Sequence, residues 1–282
     1  MNDRTAADAG WFSGIDPEDV DEAVASIRSG SADQPQDWPR RALAKGVVSD
    51  ETAYYDWLHE ATVEAARAAV RERERANDQQ LKHSVRAMDD CARTANELAE
   101  RITEWAGSRY GIETSGLECA REIAERSPED AFDDRLVSLA ERTVALADER
   151  EALRRIIEQE APTVAPNLSA LAGSVLAARL IALAGSLEAL AKKPSGTLQV
   201  LGAEDALFAH LRGHAPSPKH GIIYTHEYIR GTRTEDRGSA ARALAGKLSI
   251  AARIDHYSGE RNPDLETALE ERIERIRGRA DE

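Results

Sequence analysis

Four histidines stand close together in the last third of the chain, His210, His214, His220 and His226. His210 and His214 are four residues apart, the spacing that lets two imidazoles on one helix face share a zinc ion. Gly213 lies between them, no H-E-x-x-H motif accompanies them and no cysteine is near. They are therefore expected to be surface or core histidines, with no metal and no cofactor. Cys91 and Cys119 form no C-x-x-C pair, so neither a zinc ribbon nor a disulfide framework is expected, and a reduced cytoplasm fits. No P-loop, dinucleotide fingerprint or nucleophile elbow is present, and Gly202-Ala203-Glu204 is too short to count as one. No catalytic residue is assigned. The expected chemistry is binding.

Charge says where. The chain has 37 basic and 51 acidic residues, a net charge of −14. Residues 192 to 255 run against this, with ten basic and six acidic groups, and four of the six lysines lie there. A positive island in an acidic protein suits a phosphate backbone. Within it Lys219 and His220 follow Pro218 on a restrained loop, where the lysine can meet phosphate and the imidazole can stack on an exposed base. Gly202 and Ala203 precede a predicted helix, so their N–H groups could face an anion. Arg237, Arg242, Lys247 and Arg253 share one predicted helix. Arg242 and Arg253, three turns apart, are read as structural, pairing with helix ends or with Asp255.

Arginine supplies 31 of the 37 basic residues, which together with the carboxylates and alanines points to a proteome adapted to high salt. At about 1 M salt the Debye length is only about 3 Å, so long-range attraction to RNA fades. Affinity must then come from short-range contacts on a composite protein–RNA surface.

The elements that position these groups read as helices. Alanine, arginine and glutamate dominate, aromatics are few, and β-alternation is sparse. A short helix is predicted from Pro17 to Ser29 with Asp16 as N-cap. Trp11, Phe12 and Trp38 are candidate anchors for this N-terminal piece. One long helical pattern runs from Asp50 to about Tyr110. Within it Leu81, Val85, Met88, Ala92, Ala95, Ala99 and Ile102 form a heptad seam. A second seam, Leu136, Leu139, Thr143, Leu146, Arg150, Leu153 and Ile157, follows a helix start at Ser127-Pro128-Glu129. The two predict an antiparallel coiled-coil hairpin. Arg71 to Arg75 reads as a solvated helix surface. Pro162 and Pro166 mark a boundary, after which small residues such as Gly173, Ala177, Ala178 and Gly185 allow close helix packing. The apolar stretch Leu168 to Leu190 carries Arg179, Glu188 and several serines, so it is expected to be a buried core helix rather than a membrane span. The start, MNDRTAADAG, lacks the features of a secretory leader.

Ala165 to Tyr257 resembles the Nop domain of box C/D ribonucleoprotein core proteins and a related spliceosomal protein. The resemblance rests on APNLSALAGSVLAARLIALAGSL (165 to 187), LQVLGAEDALFAHL (198 to 211), PKHGIIY (218 to 224) and RGSAARALAGKLSIAARID (237 to 255). MDDCARTANELAERITEW (88 to 105) resembles the coiled-coil helix of the same family, and the archaeal member is the nearest in kind. The resemblance implies an all-α fold: a short irregular N-terminal segment (1–49), a coiled-coil hairpin (50–160), a compact Nop domain (161–258) and a C-terminal helix or tail (259–282). It implies a non-catalytic, cytoplasmic scaffold that binds box C/D guide RNA with its kink-turn-binding protein. It further implies that the N-terminal segment holds the methyltransferase fibrillarin for RNA 2′-O-methylation, and that the coiled coil makes a homodimer. The implied RNA and RNP contacts are Gln199, Gly202, Ala203, Glu204, Lys219, His220, Arg237 and Lys247. Asp205 stands where the family has a lysine, and Ser239 stands where Arg-Gly-Lys is usual. The N-terminal region and the second coiled-coil arm are shorter than the family's, and the usual lysine-rich tail is replaced by an end reading Arg-Gly-Arg-Ala-Asp-Glu. The alternatives are a coiled-coil adaptor without an RNA role and a splicing-type Nop-domain protein.

Overall fold

Three aspartates begin the first three helices. Asp19, Asp37 and Asp50 each accept a backbone N–H from three residues on, starting α1 (Val20–Ser29), α2 (Trp38–Ala44) and α3 (Glu51–Glu74). Asp50 does so best, at 2.8 Å from Ala53 N, and that bond holds its carboxyl below the usual carboxylate range. The computed structural model describes residues 10–31 and 34–278. Residues 1–9 and the four C-terminal residues read above lie outside them. The first helix begins one turn later than predicted, because Asp16 caps only a turn (Glu18 N at 3.0 Å) and Asp19 takes the capping role. The three helices close on an aromatic core. Phe12 is wholly buried, edge-on to Trp11, Trp38 and Tyr54, and Trp11 Nε1 donates to the Tyr54 hydroxyl at 3.1 Å. The anchors expected of Trp11, Phe12 and Trp38 thus hold this piece to α3.

The chain forms two compact units, one ending at Ala76 and one beginning at Asn77. The predicted continuous helix from Asp50 to Tyr110 is broken there. Arg75 and Ala76 turn off α3, and α4 (Asn77–Tyr110) starts anew. Arg71 to Gln80 carries no large apolar side chain, so no packing face holds the helix straight, while Asn77 and Asp78 are helix-starting types.

In the second unit α4 pairs with α6 (Ala131–Val164), and α5 (Gly116–Ala124) folds against both. Ile102 and Ala106 of α4 share a core with Leu136 and Ala140 of α6, while Leu81 and Val85 share one with Ile157 and Ala161. The pair is therefore antiparallel. The α4 seam is as predicted, with Ala92 alone half-exposed. The α6 seam holds at Leu136, Thr143 and Ile157 and is shifted between them. Ala140 and Ala147 are buried where Leu139 and Leu146 were expected, because methyl side chains let the helices approach and push the leucines to the flanks. The start of α6 also lies later than predicted, with Asp130 as N-cap in place of Ser127. Pro162 sits inside α6 and does not end it.

At the end of the pair a polar cluster replaces apolar packing. Asp133 is buried and accepts from the Tyr110 hydroxyl at 2.6 Å, from Arg109 Nε and from Glu129 N at 3.1 Å. Arg109 also reaches Asp130 at 2.5 Å, and Arg126 lies over the Tyr110 ring.

Beyond α6 come α7 (Pro166–Ala172), α8 (Ser174–Ala184), α9 (Leu187–Ala191), α10 (Ser195–Val200), α11 (Glu204–Leu211), a 3-10 turn (Ile222–Thr225), α12 (Glu227–Arg230), α13 (Arg237–Tyr257) and α14 (Asp264–Gly278). The single core helix predicted over Leu168 to Leu190 is three helices. Gly173 (φ 77°) bends α7 from α8 by 117°, and Gly185 (φ 97°) separates α8 from α9. Among the described residues no single helix is long and apolar enough to cross a membrane. α13 runs through the middle of this core and buries Ala240, Leu244, Leu248, Ala251 and Ala252. The paired helices are fastened to it by polar contacts: Asp78 accepts from Leu187 N at 2.9 Å, and Gln79 donates to Gly185 O at 3.0 Å.

The Tyr110 hydroxyl, followed by Arg109, holds the Asp133 carboxyl at about 2, below its ordinary 3.8. Its contribution to stability is full above pH 3.8 and lost as pH falls towards 2. Asp133→Asn is expected to lower Tm at pH 7, with the gap to wild type closing between pH 4 and pH 2. A gap that stays constant over that range, by circular dichroism melts, would contradict the assignment.

Candidate nucleic-acid interface

Two stretches of backbone lie against each other to make the site. Gly221 N donates to Gln199 O at 2.9 Å and Ile222 N to Leu201 O at 2.8 Å, so the end of α10 runs beside the segment that carries Lys219 and His220. The Gln199 side chain adds a bond from Nε2 to Lys219 O at 2.7 Å. Gly221 is required here because a Cβ would overlap the Leu201 carbonyl oxygen. Gly202, at φ 81°, turns the chain into α11.

The ring of Tyr224 organises the cations. His220 stacks on it with centroids 4.6 Å apart and planes 22° from parallel, and the Arg237 guanidinium carbon lies 5.5 Å from the same ring. Arg237 Nε also donates to Thr232 O at 3.1 Å, which fixes its stem. The exposed Lys219 side chain lies over Gly238 at the start of α13, with Cδ 3.8 Å from where a Cβ would be. Burial, then the charges of Arg237 and Lys219, push the His220 imidazole below its ordinary 6.5. At neutral pH it is an uncharged stacking surface between two cations.

Seven of the eight residues singled out from the sequence fall in this region: Gln199, Gly202, Ala203, Glu204, Lys219, His220 and Arg237. Lys247 is set apart, half-buried and about 15 Å along α13 from Arg237 by the helical rise. The N–H groups of Gly202 and Ala203 are not presented outward as expected. Glu204 Oε1 accepts from Gly202 N at 2.9 Å, and Val200 O accepts from Ala203 N at 2.9 Å. Of the two arginines read as structural, Arg253 donates from Nε to Ala191 O at 3.2 Å, at the C-terminal end of α9, while Arg242 is exposed. Asp255 serves backbone amides of α7 instead of an arginine. Tyr224 was not singled out. Its signal was a place four residues after His220 inside PKHGIIY.

The four histidines do different jobs. His210 Nδ1 lies 3.0 Å from Ala215 O, and His226 Nε2 donates to Leu171 O at 3.0 Å. Among the described residues no group of three or more His, Cys, Asp or Glu side chains could hold a metal. α11, which follows the turn at Gly202, has no buried residue and leaves Phe208 (55% exposed) and Leu211 (70%) in solvent.

Residues 120–277 match the Nop family, described as snoRNA binding domain, fibrillarin. The chain belongs to the Nop family. The match covers α6 through α13 whole and so includes every residue of the site. An uncharacterized NOP5 family protein of Methanocaldococcus jannaschii is 37% identical over 257 residues, 78% of this chain and 62% of its own length. Nucleolar protein 56 of Saccharomyces cerevisiae is 37% identical over 64% of this chain and 35% of its own, and nucleolar protein 58 of Schizosaccharomyces pombe is 32% identical over 70% and 46%. The chain thus spans from about a third to under two thirds of these relatives. In a crystal structure titled as a fibrillarin/Nop5p complex, a chain of 26% identity superposes with a TM-score of 0.53, covering 90% of this chain and 92% of that one. Among the described residues the fold is helical throughout, as the resemblance implies, and the Nop match takes in α6, the second helix of the antiparallel pair.

Gly221→Ala should pry the Lys219 segment from α10 and cost about 1–3 kcal/mol, as overpacking against backbone does. Gly238→Ala meets only ordinary contact and should be neutral or stabilise α13 by up to about 1 kcal/mol. Urea unfolding of the two variants checks both. Equal stabilities would mean that the backbone pairing at Gly221 is not what shapes the Nop surface.

Proposed function

We propose that this Nop-family chain is a non-catalytic scaffold of the box C/D guide RNP. It joins a kink-turn RNA that already carries its small primary binding protein, and it positions fibrillarin for RNA 2′-O-methylation. The observation that supports the RNA half is the grouping of His220 and Arg237 on the Tyr224 ring, with Lys219 next to them over Gly238, in an otherwise acidic protein. A neutral imidazole flanked by two cations suits a splayed base with its phosphates, since stacking and charge then act on one nucleotide. The protein half is supported by α11, whose exposed Phe208 and Leu211 offer apolar surface to a protein partner. Lys247 is a phosphate contact further along α13. Glu204 must release Gly202 N for that amide to meet phosphate.

The N-terminal unit is the fibrillarin contact in this reading, supported by likeness to a chain from a fibrillarin/Nop5p complex. The coiled pair makes the homodimer, and Phe132, 66% exposed in the first turn of α6, is a candidate contact. The low lysine content fits an archaeal cytoplasm of high salt, where stacking and direct arginine contacts outlast long-range attraction.

A gel shift in molar salt tests this, with a box C/D kink-turn RNA in the presence and absence of its primary binding protein. A supershift is expected only when that protein is bound. His220→Ala should weaken it by about 5- to 150-fold, from the loss of about 1–3 kcal/mol of stacking. Lys219→Ala should weaken it less, and Phe208→Ala should weaken it without changing any binding to bare RNA. No supershift at any salt concentration would remove the RNA role and leave a coiled-coil adaptor.

A further inference from the structure

One side of the α4–α6 pair is covered by α5 towards one end and by α8 towards the other. Between them is a groove of about 380 Å³. Its floor is apolar and low, made of Met88, Ala92, Ala95 and Ala147. Its walls carry Arg150, Arg154 and Arg179, against one carboxylate, Asp89. None of these residues belongs to the surface around Tyr224.

The three guanidiniums are only loosely committed. Arg150 pairs with its neighbour Glu151 at 3.0 Å, Arg154 with Glu158 at 2.9 Å, and Arg179 with Asp89. Their side chains are 41%, 48% and 30% exposed, and pairs of that kind contribute little and exchange readily. Arg179 Nε is buried and has no acceptor. An acidic chain therefore gathers three arginines on one recess and leaves a buried donor unanswered. Planar guanidiniums match phosphate oxygens two at a time, and they also stack on base planes. The shallow floor of methyl groups and a methionine thioether offers a face to a flat ring. With Leu117 of α5 and Val175 of α8 also lining it, a recess of about 380 Å³ has room for a single base and its sugar rather than for a duplex.

We propose that this groove binds a segment of single-stranded RNA, with one base on the alanine–methionine floor and its flanking phosphates on Arg150, Arg154 and Arg179. This is a second RNA contact, separate from the Nop surface and independent of any kink-turn.

The test uses the full chain and fluorescence anisotropy with a labelled ten-nucleotide uridine RNA that cannot form a kink-turn, over a salt series. The variants are Arg150→Ala/Arg154→Ala together, side chains 41% and 48% exposed whose loss leaves the packing intact, and Arg135→Ala as a comparator. Circular dichroism confirms that each is folded. The double variant is expected to bind several-fold more weakly and to lose about 1.4 from the slope of log affinity against log salt, two phosphate contacts at about 0.7 each. Arg135→Ala, an exposed cation on α6 outside both the groove and the Nop surface, should change neither. Uridine monophosphate should compete poorly, since it brings one phosphate to a three-arginine site. Unchanged RNA affinity in the double variant would overturn the proposal, as would no RNA binding by wild type. Competition by the monophosphate as strong as by the decamer would point to a free nucleotide, and displacement of RNA by an acidic peptide at equal concentration to a protein partner. Either would also overturn it.

Discussion

Asp255 is buried near the C-terminal end of α13, and its two oxygens are met by three N–H donors from one neighbour: Asn167 N at 3.0 Å, Asn167 Nδ2 at 2.7 Å and Leu168 N at 2.8 Å. A carboxylate removed from water requires such partners, and the first turn of a helix supplies them with its dipole in the favourable sense. Asn167 is itself fully used, since Nδ2 also donates to Glu260 O and Oδ1 accepts from Asn262 N at 2.6 Å. One Asp–Asn pair therefore fixes the start of α7, the end of α13 and the connection to α14. From there two routes lead to the interface. α13 carries Arg237 at its far end. In the last turn of α7 the Leu171 carbonyl takes the Nε2–H of His226, and His226 Nδ1 in turn accepts from Tyr228 N at 3.1 Å. That second route holds the turn that bears Tyr224, so the ring and the guanidinium meet because both elements are tied to the same buried carboxylate. The His226 arrangement works only with a neutral ring, and burial pushes its imidazole below the ordinary 6.5.

How far the sequence could be read differs by element, for identifiable reasons. α13 was legible because its alanines and leucines recur at helical spacing between charged residues, and the α4 seam because leucine, valine, methionine and isoleucine mark it. The α6 seam misled. Leu139 and Leu146 look like seam residues by hydrophobicity, but the helices meet where side chains are smallest, at Ala140 and Ala147. The bend at Gly173 and the stop at Gly185 were hidden inside one apolar run. A periodicity argument does not register a glycine taking positive φ between two seven- to eleven-residue helices. The break at Ala76 was missed for the opposite reason, since strong helix formers conceal the absence of anything to pack against.

The interface was legible as a set of residues and less so as an arrangement. Lys219, His220 and Arg237 were picked out by charge and motif, and they converge. What the sequence could not show is that Tyr224 brings them together, because stacking depends on a four-residue 3-10 turn. Nor could it show that Glu204 folds back on Gly202 N. The helix start that looked open to an anion carries a carboxylate of its own.

That carboxylate bears on how an acidic chain handles RNA. Asp205 and Ser239 stand where the resemblance implies lysines, so the surface carries two fewer cations than that resemblance leads us to expect. The cations that remain are held in place by more than charge. Arg237 is bound to Thr232 O and set against Tyr224, Arg253 is bound to Ala191 O, and Arg277 is bound to Glu227 O and set against Tyr228. Arginine makes such directional, short-range contacts where lysine acts as a hydrated point charge. In dense salt, point charges lose their reach first. A surface built from stacked rings and pre-oriented guanidiniums keeps its specificity when long-range attraction is gone. The scarcity of lysine and the ordering around Tyr224 both favour short-range contact over long-range attraction.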